Sequence, residues 1–307
     1  MPIRLGIVGV GKIVRDQHLP VLADHSAFEL VAAASRNATV DGVANFKTIE
    51  ALLADGPALD AVALCMPPRV RYAAARAALA HGVHVLLEKP PGATLSEVDD
   101  LAAQADAAGR TLYATWHSRH APAVAPAKDL LADTTIRSVD VQWREDVRKW
   151  HPGQAWIWQP GGFGVFDPGI NALSIVTHVL PRPFFLRDAT LSFPANRATP
   201  IAADLSFTDA DGLPITAAFD WRETGGETWD VTVETDAGTV ALTHSGSRLL
   251  RDGEELAAAP EAEYRAIYDR FAELIAAGRS DVDLAPLKHV ADAFLLGQHK
   301  TVEPFDD

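Results

Sequence analysis

The stretch Ile3-Arg4-Leu5-Gly6-Ile7-Val8-Gly9-Val10-Gly11-Lys12-Ile13-Val14 decides how the first half of the chain is read. Ile3 to Val8 is an apolar run of strand length, and it breaks at Gly9-Val10-Gly11 into a predicted turn and helix start. The first glycine permits a tight turn, and the second lets the backbone approach a pyrophosphate held at a helix N-terminus. Lys12 and Ile13 share that turn and are assigned with Gly9 and Gly11 to a dinucleotide. Val14 stands where a third Gly or Ala would complete the fingerprint, so the motif needs support from the strands that follow.

That support is an alternation of strands and helices. Phe28 to Ala34 predicts a second strand ending in Ser35-Arg36-Asn37. An acidic residue there would bind a free ribose 2′-hydroxyl; Ser35 and Arg36 instead offer a hydroxyl and a guanidinium fork. This suits a 2′-phosphate and favours NADP over NAD, with a solvated surface arginine as the competing reading. Asp60 to Cys65 predicts a third strand, with Cys65 as a buried thiol, running into Met66-Pro67-Pro68, where the prolines stiffen the turn. Arg69 to His81 reads as a helix and Val83 to Leu87 as a fourth strand, followed by Glu88-Lys89-Pro90-Pro91. Ser96 is the expected cap of a helix running to Ala108, closed by Gly109. Thr111 to Thr115 is a fifth strand. The pattern predicts an α/β fold with a doubly wound parallel sheet and a cofactor at the carboxyl ends of its strands. Lys89 and His117 fall just past two of those ends, although an isolated lysine is more often a surface residue and a lone histidine more often structural.

The pattern changes near residue 121. Ala121 to Ala132 predicts a helix, and Ser138 to Glu145 alternates like a strand with one exposed face. Asp146 to Gly164 is a long irregular section with Trp150, His151, Trp156 and Trp158. Its aromatic planes suit the apolar faces of a sugar ring, and packing of a domain boundary is the rival reading. Next comes Gly161-Gly162-Phe163-Gly164-Val165-Phe166-Asp167-Pro168-Gly169-Ile170-Asn171. Asp167 is expected as the N-cap and Pro168 as the first helical residue, which puts Asp167 and Asn171 on one helical face. Segments near 185 to 193, 201 to 208, 214 to 221, 228 to 235, 238 to 243 and 247 to 251 predict strands joined by short turns, hence an antiparallel sheet. Glu261 to Ala277 and Leu284 to Gln298 predict two closing helices.

With 307 residues, two domains are expected: residues 1–120, and residues 121–307 with the last helix packing back on the first domain. A net charge of −14 argues against nucleic acid or an anionic membrane surface as partner, so an anionic cofactor needs local basic groups. The single cysteine excludes an intrachain disulfide and a cysteine-rich metal site; no metal is expected. The absence of a signal peptide or membrane span in the pattern reads as cytoplasmic.

Gly9-Val10-Gly11-Lys12-Ile13, the Met66-Pro67-Pro68 turn, Glu88-Lys89-Pro90 and Gly161-Gly162 ahead of Asp167-Pro168-Gly169-Ile170-Asn171 resemble the Gfo/Idh/MocA oxidoreductases across nearly the whole chain. The resemblance implies an N-terminal Rossmann domain and a C-terminal α/β domain with a large, open, mostly antiparallel sheet. Many relatives carry a His four residues after the Asp and another Asp three beyond; this chain has Asn171 and Ser174. It is thereby similar to the branch that oxidises L-arabinose or D-galactose at the anomeric carbon to a lactone. The implied catalytic group is Lys89, Asp167 and Asn171, with either Asp167 or Lys89 taking the proton. The implied cofactor contacts are Gly9, Gly11, Lys12, Ile13, Ser35, Arg36, Met66, Pro67, Pro68, Glu88 and Lys89. For the sugar the favoured residues are His117, Glu145, Trp150, His151, Asn171 and Trp229. NADP is the preferred cofactor and NAD an alternative. The rival functions are another sugar or polyol dehydrogenase of the family and a non-catalytic NADP-binding regulator. An open sheet also offers a face for a homo-oligomer.

Overall fold

The computed structural model describes residues 1–260 and 262–306. It divides into two compact units, Met1–Trp116 with Tyr264–Asp283, and His117–Glu263 with the chain from Leu284 onward.

In the first unit the strands β1 (Ile3–Val8), β2 (Phe28–Ala34), β3 (Ala44–Phe46), β4 (Ala61–Leu64), β5 (His84–Leu87) and β6 (Leu112–Ala114) form one sheet in the order β3-β2-β1-β4-β5-β6. Every pairing in it is parallel. β3 adds an edge strand that the sequence pattern does not announce. Alternate residues supply two cores: Leu5, Ile7 and Phe28 serve one face, while Val8, Val62, Leu64, Val85 and Leu87 serve the other. β1 leads into a π-helical turn, Val14–His18, and then α1 (Leu19–Leu22). A fingerprint glycine is needed where strand and helix pack closely; here Val14 is itself a core residue and the first turn is wider.

The remaining helices of this stretch are α2 (Ile49–Asp55), α3 (Arg71–Ala80) and α4 (Leu95–Ala108). Thr94, not Ser96, caps α4: its hydroxyl accepts from the Glu97 amide at 3.3 Å, and Ser96 already lies inside the first turn. Gly109 closes α4 in the left-handed region, at φ 59°. Cys65 falls one residue past β4 and is only partly buried, so it is not a buried strand thiol.

The second unit holds α5 (Val124–Ala132), α6 (Val147–Trp150) and α7 (Phe166–Val179). Its strands are β7 (Ile136–Arg144), β8 (Phe184–Pro194), β9 (Ala202–Asp209), β10 (Ile215–Asp220), β11 (Thr228–Thr235), β12 (Gly238–Thr243), β13 (Arg248–Arg251), β14 (Glu254–Ala258) and β15 (Gln298–Val302). These nine form a sheet in the order β14-β13-β12-β11-β7-β10-β9-β8-β15. It is mostly antiparallel, but β7 runs parallel to β10 and β15 parallel to β8. α7 lies on β7 and β11 and packs against α5. Val139, Val141 and Trp143 of β7 are buried, and the residues between them are more exposed.

Two helices follow, α8 (Glu263–Ala277) and α9 (Ala285–Leu296). The expected start of the first at Glu261 lies outside the described residues. The assignment of the closing helices needs correcting, because α8 returns to the first unit and the last helix does not. Tyr264, Ile267, Tyr268, Phe271 and Leu274 recur at helical spacing and enter the core of Leu5, Ile7 and Phe28. α9 packs on α7 and β8 of the second unit, where His289 stacks on Phe184 at 4.4 Å between ring centroids. Gln298, expected at the end of that helix, begins β15. Among the described residues no helix is long and apolar enough to cross a membrane.

Candidate active site

Because the first sheet is parallel throughout, the carboxyl ends of β1, β2, β4 and β5 share one edge. Gly9 to Ile13, Ser35-Arg36, Met66 to Pro68 and Glu88-Lys89 therefore collect there. The strand order reverses between β1 and β4, and Gly9 sits at that switch point. Its φ is 90°, and a Cβ there would stand 2.6 Å from the Met66 amide nitrogen, so only glycine fits against the β4 turn. A Cβ on Gly11 would meet nothing within 4 Å, which leaves its backbone open to an approaching phosphate.

Lys12 forms an ion pair with Asp16 one helical turn later. Arg36 is exposed, and the Lys47 ammonium donates to its carbonyl at 3.1 Å. Lys47 thus brings a second cation to the end of β2, a residue that sequence reasoning misses because the three-residue β3 before it is too short to recognise. Open glycine backbone with local cations in an acidic chain fits a dinucleotide phosphate. Among the described residues no group of three or more His, Cys, Asp or Glu is placed to hold a metal ion.

Met66 to Pro68 and Glu88-Lys89-Pro90 are fastened by one side chain. Arg71, at the start of α3, is buried and donates to the carbonyls of Met66, Glu88 and Pro90. The Glu88 carboxylate, 3 % exposed, is turned into the interior of the unit and not along the sheet edge. Tyr264 Oη donates to its Oε1 at 2.9 Å, and His18 Nε2 lies 3.2 Å from the same oxygen.

In the second unit the start of α7 differs from expectation. The helix begins at Phe166 with Val165 as its cap and no side-chain cap bond, so Asp167 is inside the first turn. The glycines before it explain the shift. Gly164 has φ 54°, and a Cβ there would meet the Pro200 carbonyl oxygen at 2.3 Å, so the chain turns tightly enough for Asp167 N to reach Gly164 O at 2.8 Å. Asp167 is 4 % exposed, and His151 Nε2 lies 3.4 Å from its Oδ2. Asn171 follows one turn later on the same face, less buried.

From His151 a chain of aromatic and acidic groups continues. His151 packs on Trp221 at 5.2 Å, and the Trp221 indole donates to Glu145 Oε1 at 3.2 Å. Trp229 donates to Glu145 Oε2 at 2.9 Å and packs on Trp150 at 5.6 Å. Trp150 donates to Glu227 at 3.3 Å, and Glu227 also pairs with Lys149, which lies over the Trp150 ring. The Lys149 bond holds the Glu227 carboxyl below its usual range. The structure thus links Asp167, His151, Glu145, Trp229 and Trp150. Trp221 belongs to this group and is not singled out by the sequence, where it ends an ordinary alternating strand. His117 lies in a 3-10 turn against α7, with its Nδ1 2.5 Å from Glu263.

The sheet order and the glycine turn at its switch point are those of the Rossmann domain of a dinucleotide-binding oxidoreductase. The chain belongs to the Gfo/Idh/MocA oxidoreductases: residues 3–115 match the family model described as oxidoreductase family, NAD-binding Rossmann fold. It is an oxidoreductase acting on CH–OH groups. It is 48% identical to galactose 1-dehydrogenase of Pseudomonas fluorescens, over 100% of this chain and 99% of that one. The crystal structure of D-galactose-1-dehydrogenase from Rhizobium etli is 63% identical, with a TM-score of 0.96 over 99% of this chain and 98% of the other. KijD10, a 3-ketoreductase from Actinomadura kijaniata solved with NADP and TDP-benzene, shares the fold at TM-score 0.86 and 20% identity, over 98% of this chain and 100% of that one.

Proposed function

We propose that this protein oxidises D-galactose, and L-arabinose as a second substrate, at the anomeric carbon to the aldonolactone, with NADP preferred over NAD. The observation that carries the reading is Asp167, a buried carboxylate at the start of α7, beside His151 and linked through His151, Trp221 and Glu145 to Trp229 and Trp150. The two relatives of 48% and 63% identity, both galactose 1-dehydrogenases, support galactose as the first sugar to test.

Gly9, Gly11, Lys12, Ile13 and the Met66-Pro67-Pro68 turn would hold the dinucleotide, with Ser35, Arg36 and Lys47 at its 2′-phosphate. When bound, the nicotinamide supplies the acceptor for the hydride that leaves the anomeric carbon. The chain's own task is the anomeric hydroxyl proton. Asp167 accepts it as the oxygen forms its double bond to carbon, while Lys89 polarises that oxygen and Asn171 orients it. Trp150 and Trp229 offer planes to the apolar face of the pyranose, and the two sugars differ only by an exocyclic hydroxymethyl group. A cytoplasmic location and a homo-oligomer formed through the open sheet complete the proposal.

The test is an assay of aldoses and inositols with each cofactor. Galactose-dependent reduction of NADP, with lactone as product, is expected. Activity confined to inositols would favour oxidation at another ring carbon, and NADP binding without reduction by any sugar would favour a regulator.

A further inference from the structure

Inside the first unit lies a buried polar cluster that the proposed reaction does not use directly. His18, fully buried in the turn before α1, has Nδ1 2.7 Å from Tyr268 Oη and Nε2 3.2 Å from Glu88 Oε1. Tyr264, one turn before Tyr268 on α8, donates to the same Glu88 oxygen. The other oxygen, Oε2, accepts the backbone amide of Lys89 at 2.7 Å. Cys65 Sγ is 3.7 Å from His18 Nε2, and His25 packs edge-on against Tyr268 at 6.0 Å.

A buried carboxylate is costly unless donors compensate it. Here the donors come from three separate parts of the chain. His18 belongs to the segment that leaves the glycine turn, Tyr264 to the helix that returns after residue 263, and the Lys89 amide to the edge beyond β5. Arg71 grips the carbonyls of Glu88 and Pro90 on either side. The peptide before Lys89 is thus fixed by its amide hydrogen, and the residues flanking it by their carbonyls. Such bracketing sets the direction in which the lysine side chain leaves the backbone.

We propose that His18 is a positioning residue for Lys89, acting through Glu88. The inference rests on Lys89 having the role given above. Nε2–H serves Glu88 whether the imidazole is neutral or charged. Burial opposes charge on the ring, but Cys65, Tyr268 and Glu88 outweigh it and raise its pKa well above the ordinary value. Burial also pushes the Tyr268 phenol up to about 12, so it remains a neutral partner of Nδ1. Without the His18 donor, Glu88 would lose a charge-assisted bond and hold the Lys89 amide less firmly.

The test compares His18→Leu, His18→Gln and Tyr264→Phe with the parent chain. It reads kcat and KM with galactose, the Kd for NADP, the thermal midpoint, and the acylation rate of Lys89 against the other lysines by mass spectrometry. His18→Leu should lower kcat by roughly 30-fold with the NADP Kd within about threefold, and change relative Lys89 acylation by about fivefold or more. His18→Gln, which keeps a donor near the Nε2 position, should recover both to within about fivefold of the parent. Tyr264→Phe removes one of the two donors to Oε1, should shift both readouts in the same direction by less, and decides the matter if His18→Leu does not fold. Unchanged Lys89 acylation in a folded variant, or His18→Gln as impaired as His18→Leu, would overturn the proposal. Normal turnover by Lys89→Ala would instead remove the catalytic reading of Lys89, leaving acylation to judge the positioning.

Discussion

Gly169 is the point at which helix placement and proposed chemistry meet. It lies in the first turn of α7 between Asp167 and Asn171, and a Cβ added there would stand 2.5 Å from Cδ2 and 2.7 Å from Cε2 of Phe219. Carbon atoms prefer about 3.5–4.0 Å, so Gly169→Ala requires roughly 1 Å of separation. Phe219 is buried on β10 and packs edge-on against Phe166, so the ring has little freedom to withdraw. Overpacking of this kind costs about 1–3 kcal/mol, and the better helix propensity of alanine returns about 1 kcal/mol. The net destabilisation is then about 1 kcal/mol, or a fall of roughly 2–4 °C in thermal midpoint for a unit of this size. The effect on turnover should be far larger, because a displacement of about 1 Å at reacting groups can cost about 100-fold. Thermal unfolding and galactose-dependent NADP reduction measure the two quantities separately. Phe219→Leu in the same chain should restore part of the lost kcat/KM by making room. Retention of parental kcat/KM by Gly169→Ala would refute the view that the seat of α7 on the sheet places Asp167 and Asn171.

Arg36→Ala should weaken NADP binding by about tenfold with little change for NAD, and Lys47→Ala should act in the same direction more weakly; isothermal titration with both cofactors checks this. Trp229→Ala leaves a Glu145 oxygen without its indole donor and removes a plane beside Trp150, so the KM for galactose should rise by about tenfold or more with NADP binding unchanged. Asp60 accepts a side-chain fork from Arg4, which lowers its carboxyl pKa; burial opposes this, and a backbone bond from Arg4 adds to the lowering. A lowered folded-state pKa means stability present above the unfolded value of about 3.9 and lost as the pH falls through the lower folded value. Asp60→Asn should therefore remove an acid-dependent contribution of about 0.5 kcal/mol, read from thermal midpoints between about pH 2 and 6.

The first unit was legible because its signals are local. Each strand except the three-residue, largely exposed β3 is a short apolar run, and the glycine turn and the Glu-Lys-Pro segment each sit directly after one. The sheet of the second unit was legible through alternation and turn residues, apart from β14 and β15, where Glu254 to Ala258 and Gln298 to Val302 are largely exposed and carry no inward face to signal a strand. The tertiary partners were hidden. His18 meets Tyr268 and Glu88 meets Tyr264 across more than half the chain, and two tyrosines four residues apart on a helix read as ordinary core. The cap of α7 was misplaced for a related reason: Asp-Pro is a strong local cap signal. The tight turn at Gly164, packed on Pro200, starts the helix earlier.

The central claim is oxidation at the anomeric carbon of an aldose. It is tested most directly by supplying D-galactose deuterated at that carbon with NADP and locating the label. The account predicts that deuterium appears in the reduced nicotinamide and that turnover slows relative to unlabelled sugar, while Asp167→Asn lowers turnover by about 100-fold or more with both sugars. Reduction of the cofactor with all deuterium retained in the sugar product would contradict it.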